Sequence, residues 1–396
     1  MMEGWKEVKL EEIADVVGGG TPSTKEDSYW NGDVNWVTPA DLSGYMFKHI
    51  SAGERKITKL GLSKSSAKLH PKGTVLMTSR APVGYLAIAG DEVATNQGFQ
   101  SLRCKTDKVD HNFLYYILHL YKEGILAIAS GATFPEVSGK KVKGFKIKIP
   151  PLHTQRKIAS ILSAYDELIE NNLKRIKIME EKAQLTYEEW FVRMRFPGHE
   201  TMPINKETGL PEGWELVKVG ALLAKLKSTK KIKSSEILES GSTPVIDQSR
   251  DFIKGYTNEP DALIDIDEPI IVFGDHTRIL KFIDFNFSRG ADGTQLVLSK
   301  DSRMPQHLFY QVLKGIDLSD YHYARHFKYL KDTEINICDE ITANHYEDFA
   351  APLFKAIKQM RDQNKLLKEA RDILLPRLMT GIIDVEQMNI ETLQTI

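Results

Sequence analysis

Cysteine is nearly absent from this chain of 396 residues, which contains only Cys104 and Cys338. Two cysteines are too few for a disulfide framework or for a zinc site with cysteine ligands, so we interpret both as inert core thiols. Long apolar runs are absent as well, since no stretch approaches the roughly 18 residues that a membrane-spanning helix needs. The first residues are charged where a secretory signal is apolar, and we therefore expect a globular protein of the cytoplasm.

An excess of positive charge is also missing. The sequence has 53 Lys and Arg against 54 Asp and Glu, a net charge of −1. This balance argues weakly against nucleic-acid binding, which depends on cations opposite phosphates. The cations are nevertheless clustered, and the two lysine runs are Lys140, Lys141, Lys143, Lys146 and Lys148, and Lys225, Lys227, Lys230, Lys231 and Lys233. One run alone most often marks a solvated face, but a run in each half of the chain favours a surface that contacts phosphates.

Sequence patterns for catalysis are absent too. Gly18-Gly19-Gly20-Thr21 lacks the lysine of a phosphate loop and is too short for a dinucleotide fingerprint, so we interpret it as a flexible turn. Ile149-Pro150-Pro151-Leu152 lacks the amide and the aromatic ring with which an adenine methyltransferase holds a flipped base. It predicts a corner between a strand and a helix. We expect no catalytic residues and no cofactor.

His322 and His326 have the i, i+4 spacing of paired metal ligands. No acidic residue between them completes a zinc-protease pattern, so we expect no metal site. The residues interleaved with them are Tyr321, Tyr323, Arg325, Phe327 and Lys328. This mixture of aromatic and cationic side chains favours a polar surface that contacts phosphates and bases. A solvated helix is the alternative interpretation.

The two halves of the sequence resemble each other, which indicates an internal duplication. Residues 3–10 correspond to residues 212–219, with an offset of 213 − 4 = 209 between their Gly-Trp pairs. Residues 113–118 correspond to residues 308–313, with an offset of 308 − 113 = 195. A period of this length is far longer than a solenoid repeat, so we interpret the halves as two related domains, the second of them shorter.

Each half ends in a long helix with apolar heptad rows. No proline or glycine occurs between residues 153 and 191, which predicts one helix of about 39 residues, roughly 58 Å long. Its rows are Leu162, Ile169, Ile176, Ala183 and Trp190, and Tyr165, Asn172, Met179 and Thr186. The rows of the second helix are Leu353, Met360, Leu367 and Leu374, and Ile357, Asn364, Arg371 and Leu378.

The second helix is predicted from Asn344 to Thr380. Asn344 and Glu347 have the spacing of an N-cap and its reciprocal partner. Pro376 is expected to kink the last turns, and Gly381 is placed to stop the helix.

Each helix has one asparagine in its apolar seam, and Asn172 and Asn364 are 364 − 172 = 192 residues apart. An asparagine in such a seam lowers stability but fixes the register of the partner helix. We therefore predict that the helices pack together in one register, antiparallel because each leaves a similar domain in turn. The alternative is that both asparagines face water.

These patterns predict an α+β protein, with two similar mixed α/β domains joined by two long helices that form an antiparallel coiled coil. The predicted segments are 1–151 for the first domain, 152–196 for the central helix, 197–341 for the second domain, 342–381 for the C-terminal helix and 382–396 for a tail.

An ordered set of motifs runs along this plan. In the first half they are Gly19-Gly20-Thr21-Pro22-Ser23, residues 30–37, Arg80-Ala81-Pro82-Val83-Gly84, Thr95-Asn96-Gln97-Gly98-Phe99, Ile149-Pro150-Pro151-Leu152 and Glu189-Trp190-Phe191. In the second half they are residues 255–259, His326-Phe327-Lys328, and residues 371–379 with Gly381. With these motifs in this order, the chain resembles the specificity subunit of a type I restriction-modification enzyme over its whole length.

The resemblance implies two target-recognition domains that each read one half of a split DNA site. It also implies a non-catalytic scaffold for two methyltransferase subunits and, in the restriction form, for ATP-driven motor subunits. The residues that read bases vary with the site read within this family, so motifs do not identify them. An adaptor that holds proteins with its paired domains is the alternative from another class, and an enzyme with an unrecognised site is a third.

Candidate DNA-contacting residues are therefore chosen by chemistry. Arginine, asparagine and glutamine can form paired hydrogen bonds to base edges, and the candidates are Arg80, Asn96 and Gln97 in the first domain and Arg278, Gln295 and Arg325 in the second. The candidates for phosphate contact are Lys230, Lys231, Lys233 and Lys328. For Asn96-Gln97-Gly98 the alternative is a turn with a purely structural role.

Overall fold

The computed structural model describes residues 4–131, 135–291, 293–320 and 325–387, and the chain divides into two units. Unit 1 consists of Met1–Leu173 and Asp362–Ile396, and unit 2 is Lys174–Arg361. Each unit therefore contains one mixed domain and a part of both long helices. Tyr321, His322 and Tyr323 lie outside the described residues.

The described residues of unit 1 form three sheets. Its strands are β1 Lys6–Lys9, β2 Ala14–Gly18, β3 Trp30–Val37, β4 His49–Ile50, β5 Arg55–Ile57, β6 Leu69–His70, β7 Val75–Met77, β8 Leu86–Ala89, β9 Val93–Thr95, β10 Gln100–Cys104 and β11 Lys146–Ile149. They form the sheets β1-β11, β2-β10-β7-β8-β4 and β5-β3-β9-β6. The helices are α1 Leu10–Ile13, α2 Lys59–Ser63, α3 His111–Leu120, α4 Lys122–Ala127, α5 Gly139–Gly144 and α6 Leu152–Tyr187, of which α6 continues into unit 2.

Unit 2 repeats this plan with fewer strands. They are β12 Glu215–Lys218, β13 Thr243–Ile246, β14 Gly255–Thr257, β15 Leu263–Ile264, β16 Ile270–Gly274, β17 Leu280–Ile283, β18 Phe287–Arg289, β19 Thr294–Val297 and β20 Glu334–Ile337. They form the sheets β12-β20, β17-β16-β19 and β14-β13-β18-β15. The helices are α7 Val219–Leu222, α8 Gln306–Gly315, α9 His326–Asp332 and α10 Glu340–Met379, of which α10 continues into unit 1.

The duplication predicted from the sequence is confirmed by the strand pairing. β1 pairs antiparallel with β11, and β12 pairs in the same way with β20. β7 lies between β8 and β10 just as β16 lies between β17 and β19. β3 runs parallel to β9, and β13 runs parallel to β18. Each pair of corresponding strands therefore occupies the same place in its unit.

The two long helices are antiparallel in both units, as predicted. In unit 1, Arg371 binds Asp166 at 2.6 Å and Asn364 binds Asn172 at 3.0 Å. In unit 2, the Arg361 guanidinium lies 2.8 Å from the Glu180 carboxylate, and the Tyr346 hydroxyl donates to the carbonyl of Ala183 at 2.8 Å. In each unit the residue number falls on one helix as it rises on the other. The predicted heptad positions Leu162, Ile169, Ile176 and Ala183 are all buried.

The seam asparagines are buried and bonded to each other. Asn172 is 8% exposed and Asn364 is 5% exposed. The Asn172 Nδ2 donates to Asn364 Oδ1, and the Asn364 Nδ2 lies 3.4 Å from the carbonyl of Ile169. The predicted pairing of the two asparagines is confirmed, and the alternative that both side chains face water is wrong. That the pair fixes the register of the helices stays a prediction.

The predicted start of the second helix is wrong by four residues. Helix α10 begins at Glu340, and Asp339 caps it by accepting the Thr342 N–H at 2.9 Å and the Thr342 hydroxyl at 2.7 Å. Asn344 therefore lies inside the helix, and Glu347 binds the His307 ring at 2.5 Å instead of a cap. Aspartate and asparagine both favour the N-cap position, and the helix is capped by Asp339, which the sequence prediction did not consider.

The first helix agrees with its prediction, since α6 covers Leu152–Tyr187 and a π-helical turn follows at Glu188–Val192. Among the described residues, no helix is both long and apolar enough to cross a membrane. Cys338 is buried and Cys104 is only partly so. Burial raises the pKa of both thiols to about 12, which leaves them unreactive near neutral pH.

Replacing Asn364 with leucine removes the buried partner of Asn172. We expect the free energy of unfolding to fall by about 1–3 kcal/mol, because the Asn172 amide is then buried without its bond. The double variant Asn172→Leu/Asn364→Leu has an apolar seam and is expected to recover this loss. Urea unfolding monitored by circular dichroism measures all three proteins.

The matched control for this experiment is Asn171→Leu, the same change on the exposed neighbouring position. It is expected to shift the free energy of unfolding by less than about 0.5 kcal/mol. A single variant Asn364→Leu that is as stable as the parent would contradict the role given to the pair.

Candidate functional site

The loops that follow β2, β3, β7 and β9 meet in unit 1, and we call residues 18–23, 38–41, 78–84 and 96–98 loop cluster 1. Its backbone hydrogen bonds are Gly20 N–H to Thr95 O at 2.8 Å, Asn96 N–H to Val37 O at 3.0 Å, Ser79 N–H to Gly98 O at 2.7 Å and Val137 N–H to Ser79 O at 2.9 Å. These bonds bring together three motifs that are far apart in the sequence.

The corresponding loops of unit 2 meet in the same way, and we call residues 225–233, 247–251, 274–279, 289–291 and 293–295 loop cluster 2. Its bonds are Ile232 N–H to Arg289 O at 2.9 Å, Gly290 N–H to Ile246 O at 2.8 Å, Asp275 N–H to Gly293 O at 2.6 Å and His326 N–H to Asp275 O at 2.9 Å. Each bond has its counterpart in loop cluster 1. The two units therefore present equivalent loop clusters on an equivalent frame.

The glycine-rich segment of loop cluster 1 is an ordered loop, so its interpretation as a flexible turn is wrong. A Cβ atom on Gly19 would lie 1.9 Å from the carbonyl oxygen of Asn96, so the two backbones approach too closely for any side chain. The indole N–H of Trp36 donates to the Gly20 carbonyl at 3.1 Å, and that of Trp30 donates to the Ser23 carbonyl at 3.0 Å. Glycine is present here for close approach rather than for flexibility.

The three predicted residues of the first domain all lie in loop cluster 1. Asn96 Oδ1 accepts the Gly98 N–H at 2.8 Å, so its carbonyl oxygen holds the turn that was the alternative interpretation. Gln97 is exposed and accepts a hydrogen bond from the Thr21 hydroxyl. The Arg80 guanidinium is 38% exposed and 3.8 Å from the Glu136 carboxylate. A partly exposed ion pair of this kind stabilises weakly and can open for a ligand.

The predicted residues of the second domain lie in or beside loop cluster 2. Arg278 is exposed in the β16–β17 turn, where its φ is +61° and its guanidinium donates to the Leu318 carbonyl at 3.1 Å. Gln295 is half-buried, and its Oε1 accepts from Arg289 at 3.3 Å. Arg325 and Lys328 are exposed at the start of α9. Arg278 and Arg325 are therefore the most accessible candidates for base contact here.

His326 has a structural role in this cluster. It is 6% exposed, and its Nδ1 lies 2.8 Å from the carbonyl oxygen of Asp275. The Asp275 carboxylate accepts the Phe327 N–H at 2.8 Å. These contacts fix the first turn of α9 against the β16–β17 turn. In the part of the chain that the structure describes, no group of three or more His, Cys, Asp or Glu side chains can hold a metal ion.

The lysine run of unit 2 borders loop cluster 2 and alternates in exposure. Ile232 is fully buried, whereas Lys231 and Lys233 on either side are exposed. Lys230 is exposed and bound to Glu259 at 2.5 Å, and this hydrogen bond raises the pKa of Lys230. Among the described residues, the ammonium groups of Lys231 and Lys233 thus remain available for phosphate, whereas that of Lys230 is paired.

The lysine run of unit 1 lies outside loop cluster 1. Lys146 is on β11 and pairs with Glu7 on β1 at 2.9 Å. Lys141 is on α5 and donates to the carbonyl of Ile128 at 2.6 Å. The two runs are therefore not equivalent, and only the run of unit 2 belongs to a loop cluster.

The loop Asp247–Asp251, which follows β13 in loop cluster 2, was not among the residues predicted from the sequence. Gln248 accepts the His276 N–H at 3.0 Å with its Oε1 and the Thr277 hydroxyl at 2.7 Å with its carbonyl. Arg250 is exposed on this loop. The only available signal was a short polar segment between two apolar ones, which marks a loop without indicating its neighbours.

Two copies of one mixed domain, each with a polar loop cluster and each connected to an antiparallel helix pair, define a duplicated recognition protein. The family model described as "Type I restriction modification DNA specificity domain" matches residues 2–180. The type I restriction enzyme MjaIX specificity subunit of Methanocaldococcus jannaschii is 33% identical over 413 residues, covering 97% of this chain and 94% of that protein. The chain therefore belongs to the family of type I restriction enzyme specificity subunits.

A second relative agrees with this assignment, and a solved structure shares the fold. The EcoR124I/EcoR124II specificity subunit of Escherichia coli is 28% identical over 171 residues, covering 41% of each protein. The crystal structure of a type I restriction-modification S subunit from M. genitalium has a TM-score of 0.60 and 18% identity, and covers 94% of this chain and 96% of that one. At this identity the structural match shows the fold alone.

Replacing Gly19 with alanine tests whether loop cluster 1 depends on close backbone approach. The added methyl group collides with Asn96, so we expect the free energy of unfolding to fall by about 1–3 kcal/mol. Gly144→Ala is the matched control, because a Cβ atom there meets nothing within 4 Å. Urea unfolding of both variants measures the difference, and equal stability of the two would show that the loop tolerates displacement.

Proposed function

We propose that this chain is the non-catalytic, sequence-specific DNA-binding subunit of a type I restriction-modification complex, and that it reads a bipartite site with its two domains. The observation that carries the proposal is the bond-for-bond equivalence of the two loop clusters. A protein with two equivalent recognition domains is suited to a DNA site that consists of two short sequences separated by a gap. The segments 1–151 and 197–341 are the proposed target-recognition domains, and the proposed compartment is that of the cell's DNA, the cytoplasm.

The proposed base contacts follow from exposure and chemistry. Arg80 and Gln97 read the first half-site, and Arg278 and Arg325 read the second, with Gln295 as a further contact. Arginine pairs best with guanine and glutamine with adenine in the major groove. Asn96 contributes to recognition by holding its turn with Oδ1, and its Nδ2 group is left to donate a hydrogen bond to DNA.

The proposed phosphate contacts are Lys231, Lys233, Lys230 and Lys328. Changing Lys230, Lys231 and Lys233 together to glutamine is expected to weaken binding to all DNA sequences, since phosphates carry no sequence information. The slope of log affinity against log salt should fall by about 0.9 for each phosphate that is no longer neutralised, or roughly 1.8 if Lys230 stays with Glu259. Fluorescence anisotropy at several salt concentrations measures it.

A matched control neutralises three exposed lysines of the long helices, Lys177, Lys355 and Lys365. We expect the salt slope of this control to equal that of the parent chain. An unchanged slope in the loop-cluster variant would mean that its lysines form only a solvated face.

The proposed protein partners are two methyltransferase subunits and, in the restriction form, motor subunits. The two long helices and the π-helical turn after α6 have exposed apolar residues outside the seam. Those spaced by seven are Ile178, Leu185 and Val192, and Leu366 and Ile373. Their exposed fractions lie between 55% and 62% on four of these residues and reach 64% on Leu366. Apolar side chains repeated at heptad spacing on an exposed face favour packing against partner helices.

The same apolar rows favour the second candidate, an adaptor that holds proteins without reading DNA. Binding to immobilised duplex DNA at moderate salt distinguishes the two functions. A DNA-binding subunit should be retained, whereas an adaptor that does not bind DNA should not be. Transfer of a methyl group by the purified chain alone would contradict the proposal that it is non-catalytic.

We further propose that the helix pair sets the gap between the half-sites. Adding four residues after Lys182 lengthens α6 by about 6 Å, close to two base-pair rises of roughly 3.4 Å each. We expect both half-sequences to be unchanged and the gap to change by one or two base pairs, at some loss of affinity because the seam is interrupted. Methylome sequencing of cells that express the variant with its methyltransferase partner reads both quantities.

The control for this insertion adds the same four residues after Gly209, in a turn of unit 2 where a Cβ atom would meet nothing within 4 Å. This variant is expected to keep the gap of the parent. Altered half-sequences with an unchanged gap in the Lys182 variant would mean that the helices serve only as a docking surface.

A further inference from the structure

A buried lysine holds the loop Asp247–Asp251 of loop cluster 2. Lys281 is 4% exposed, and its ammonium donates to the Asp247 carbonyl at 2.7 Å and to the Asp251 carbonyl at 2.5 Å. The Asp247 carboxylate lies 3.8 Å away. One ammonium group thus joins both ends of a five-residue loop. Burial lowers the pKa of Lys281, and the negative charge of Asp247 opposes this shift.

The fold does not require a lysine at this position. Ile271 pairs with both Val297 and Phe282, as Val75 pairs with both Leu102 and Ile88. The next position on the hairpin pairs Val272 with Lys281 in unit 2 and Leu76 with Ala87 in unit 1. Ala87 is fully buried in unit 1. A buried lysine costs free energy unless all its bonds are satisfied, so its presence in one unit only indicates a role in the loop that it holds.

Unit 1 holds its corresponding loop with the opposite charge. The Asp41 carboxylate accepts the Thr38 N–H at 2.7 Å and the Glu54 N–H at 2.7 Å. Equivalent loops are therefore fixed by a carboxylate in one unit and by an ammonium in the other. The two domains share their strand arrangement but hold the equivalent loops with different side chains. Such loops are suited to binding two different half-sequences.

Of the charged side chains in this loop, Arg250 alone has no ion-pair partner among the described residues. Asp247 faces Lys281, and Asp251 lies 3.5 Å from the Lys254 ammonium. The Ser249 hydroxyl and N–H both donate to Asp247 Oδ1, at 2.5 and 2.9 Å. Arg250 is exposed and has no ion pair among the described residues. The loop is held at its ends and at its centre, and it presents one guanidinium to solvent.

We propose that Asp247–Asp251 is a base-reading loop of unit 2, in which Arg250 binds a guanine of the half-site and Lys281 is the positioning residue. This inference rests on the proposed DNA-reading function. A guanidinium can form two hydrogen bonds to guanine O6 and N7, the most common specific contact in the major groove. A loop fixed before binding loses little conformational freedom on binding, which favours selectivity at that base.

The test uses the full chain with its methyltransferase partner and reads the methylated motif by methylome sequencing. Arg250→Ala removes an exposed side chain and leaves the fold intact. We expect one guanine position of one half-site to become permissive, with discrimination at that base reduced about 5- to 150-fold. The other half-site and the gap are expected to remain as in the parent.

Lys281→Met tests the positioning role, because methionine fills similar space without an ammonium group. The same guanine position is expected to become permissive although Arg250 is still present, and the remaining positions should be unchanged. Lys300→Met, at an exposed lysine of unit 2 outside loop cluster 2, is the matched control and should keep the parental motif. If Lys281→Met fails to fold, the Arg250 variant decides alone.

Three outcomes would overturn the inference. An unchanged motif in Arg250→Ala would show that the loop does not read DNA. An equal loss of affinity for all sequences, with a lower salt slope, would make Arg250 a phosphate contact instead. A parent complex that methylates no split motif would contradict the proposed function itself, and with it the inference, before any variant is compared.

Discussion

A buried carboxylate holds the first domain to both long helices. Asp166 on α6 is 6% exposed, accepts the Tyr116 hydroxyl of α3 at 2.5 Å, and binds Arg371 of α10 at 2.6 Å. Lys48, also buried, donates to Ser163 one turn earlier on α6 at 2.8 Å. An unpaired buried charge is strongly destabilising, so the network favours the placement of the three helices in which Asp166 keeps both partners. Together with the asparagine pair, this network joins α3 of the mixed domain to α6 and α10 within unit 1.

Unit 2 makes the equivalent junction from aromatic rings. Phe191 packs against Trp214 and Tyr346, with ring centroids 5.8 and 5.4 Å apart. Phe196 stacks on Trp214 at 5.2 Å. Rings of this size contribute much apolar contact with defined geometry, whereas the junction of unit 1 adds the charged Asp166–Arg371 pair to its apolar contacts. The halves share strand order and backbone bonds but differ in the chemistry of their junctions and recognition loops, as expected when only the frame is common to both.

Features that depend on neighbouring residues were predictable from the sequence, and features that depend on distant ones were not. The heptad rows predicted both long helices and the buried Asn172–Asn364 pair, because residues on one face of a helix recur every few positions in the sequence. The start of α10 was missed because Asp339 and Asn344 are both good caps. The tight approach of Gly19 to Asn96 and the burial of Lys281 join residues far apart in the chain, which no local pattern encodes. The base-contacting residues and the domain boundaries stay predictions for the same reason.

The discontinuity of unit 1 has a consequence for biosynthesis. Residues 174–361 form unit 2 without interruption, whereas unit 1 needs residues from both sides of that segment. As the ribosome makes the chain, Ile169 and Asn172 therefore remain without their partners on α10 until residue 362 and those after it emerge. Unit 2 can finish folding while unit 1 is still open along its seam. The nascent protein thus exposes an apolar stripe for the time needed to translate nearly half of its length, a period in which a chaperone or a second ribosome-bound copy would meet it first.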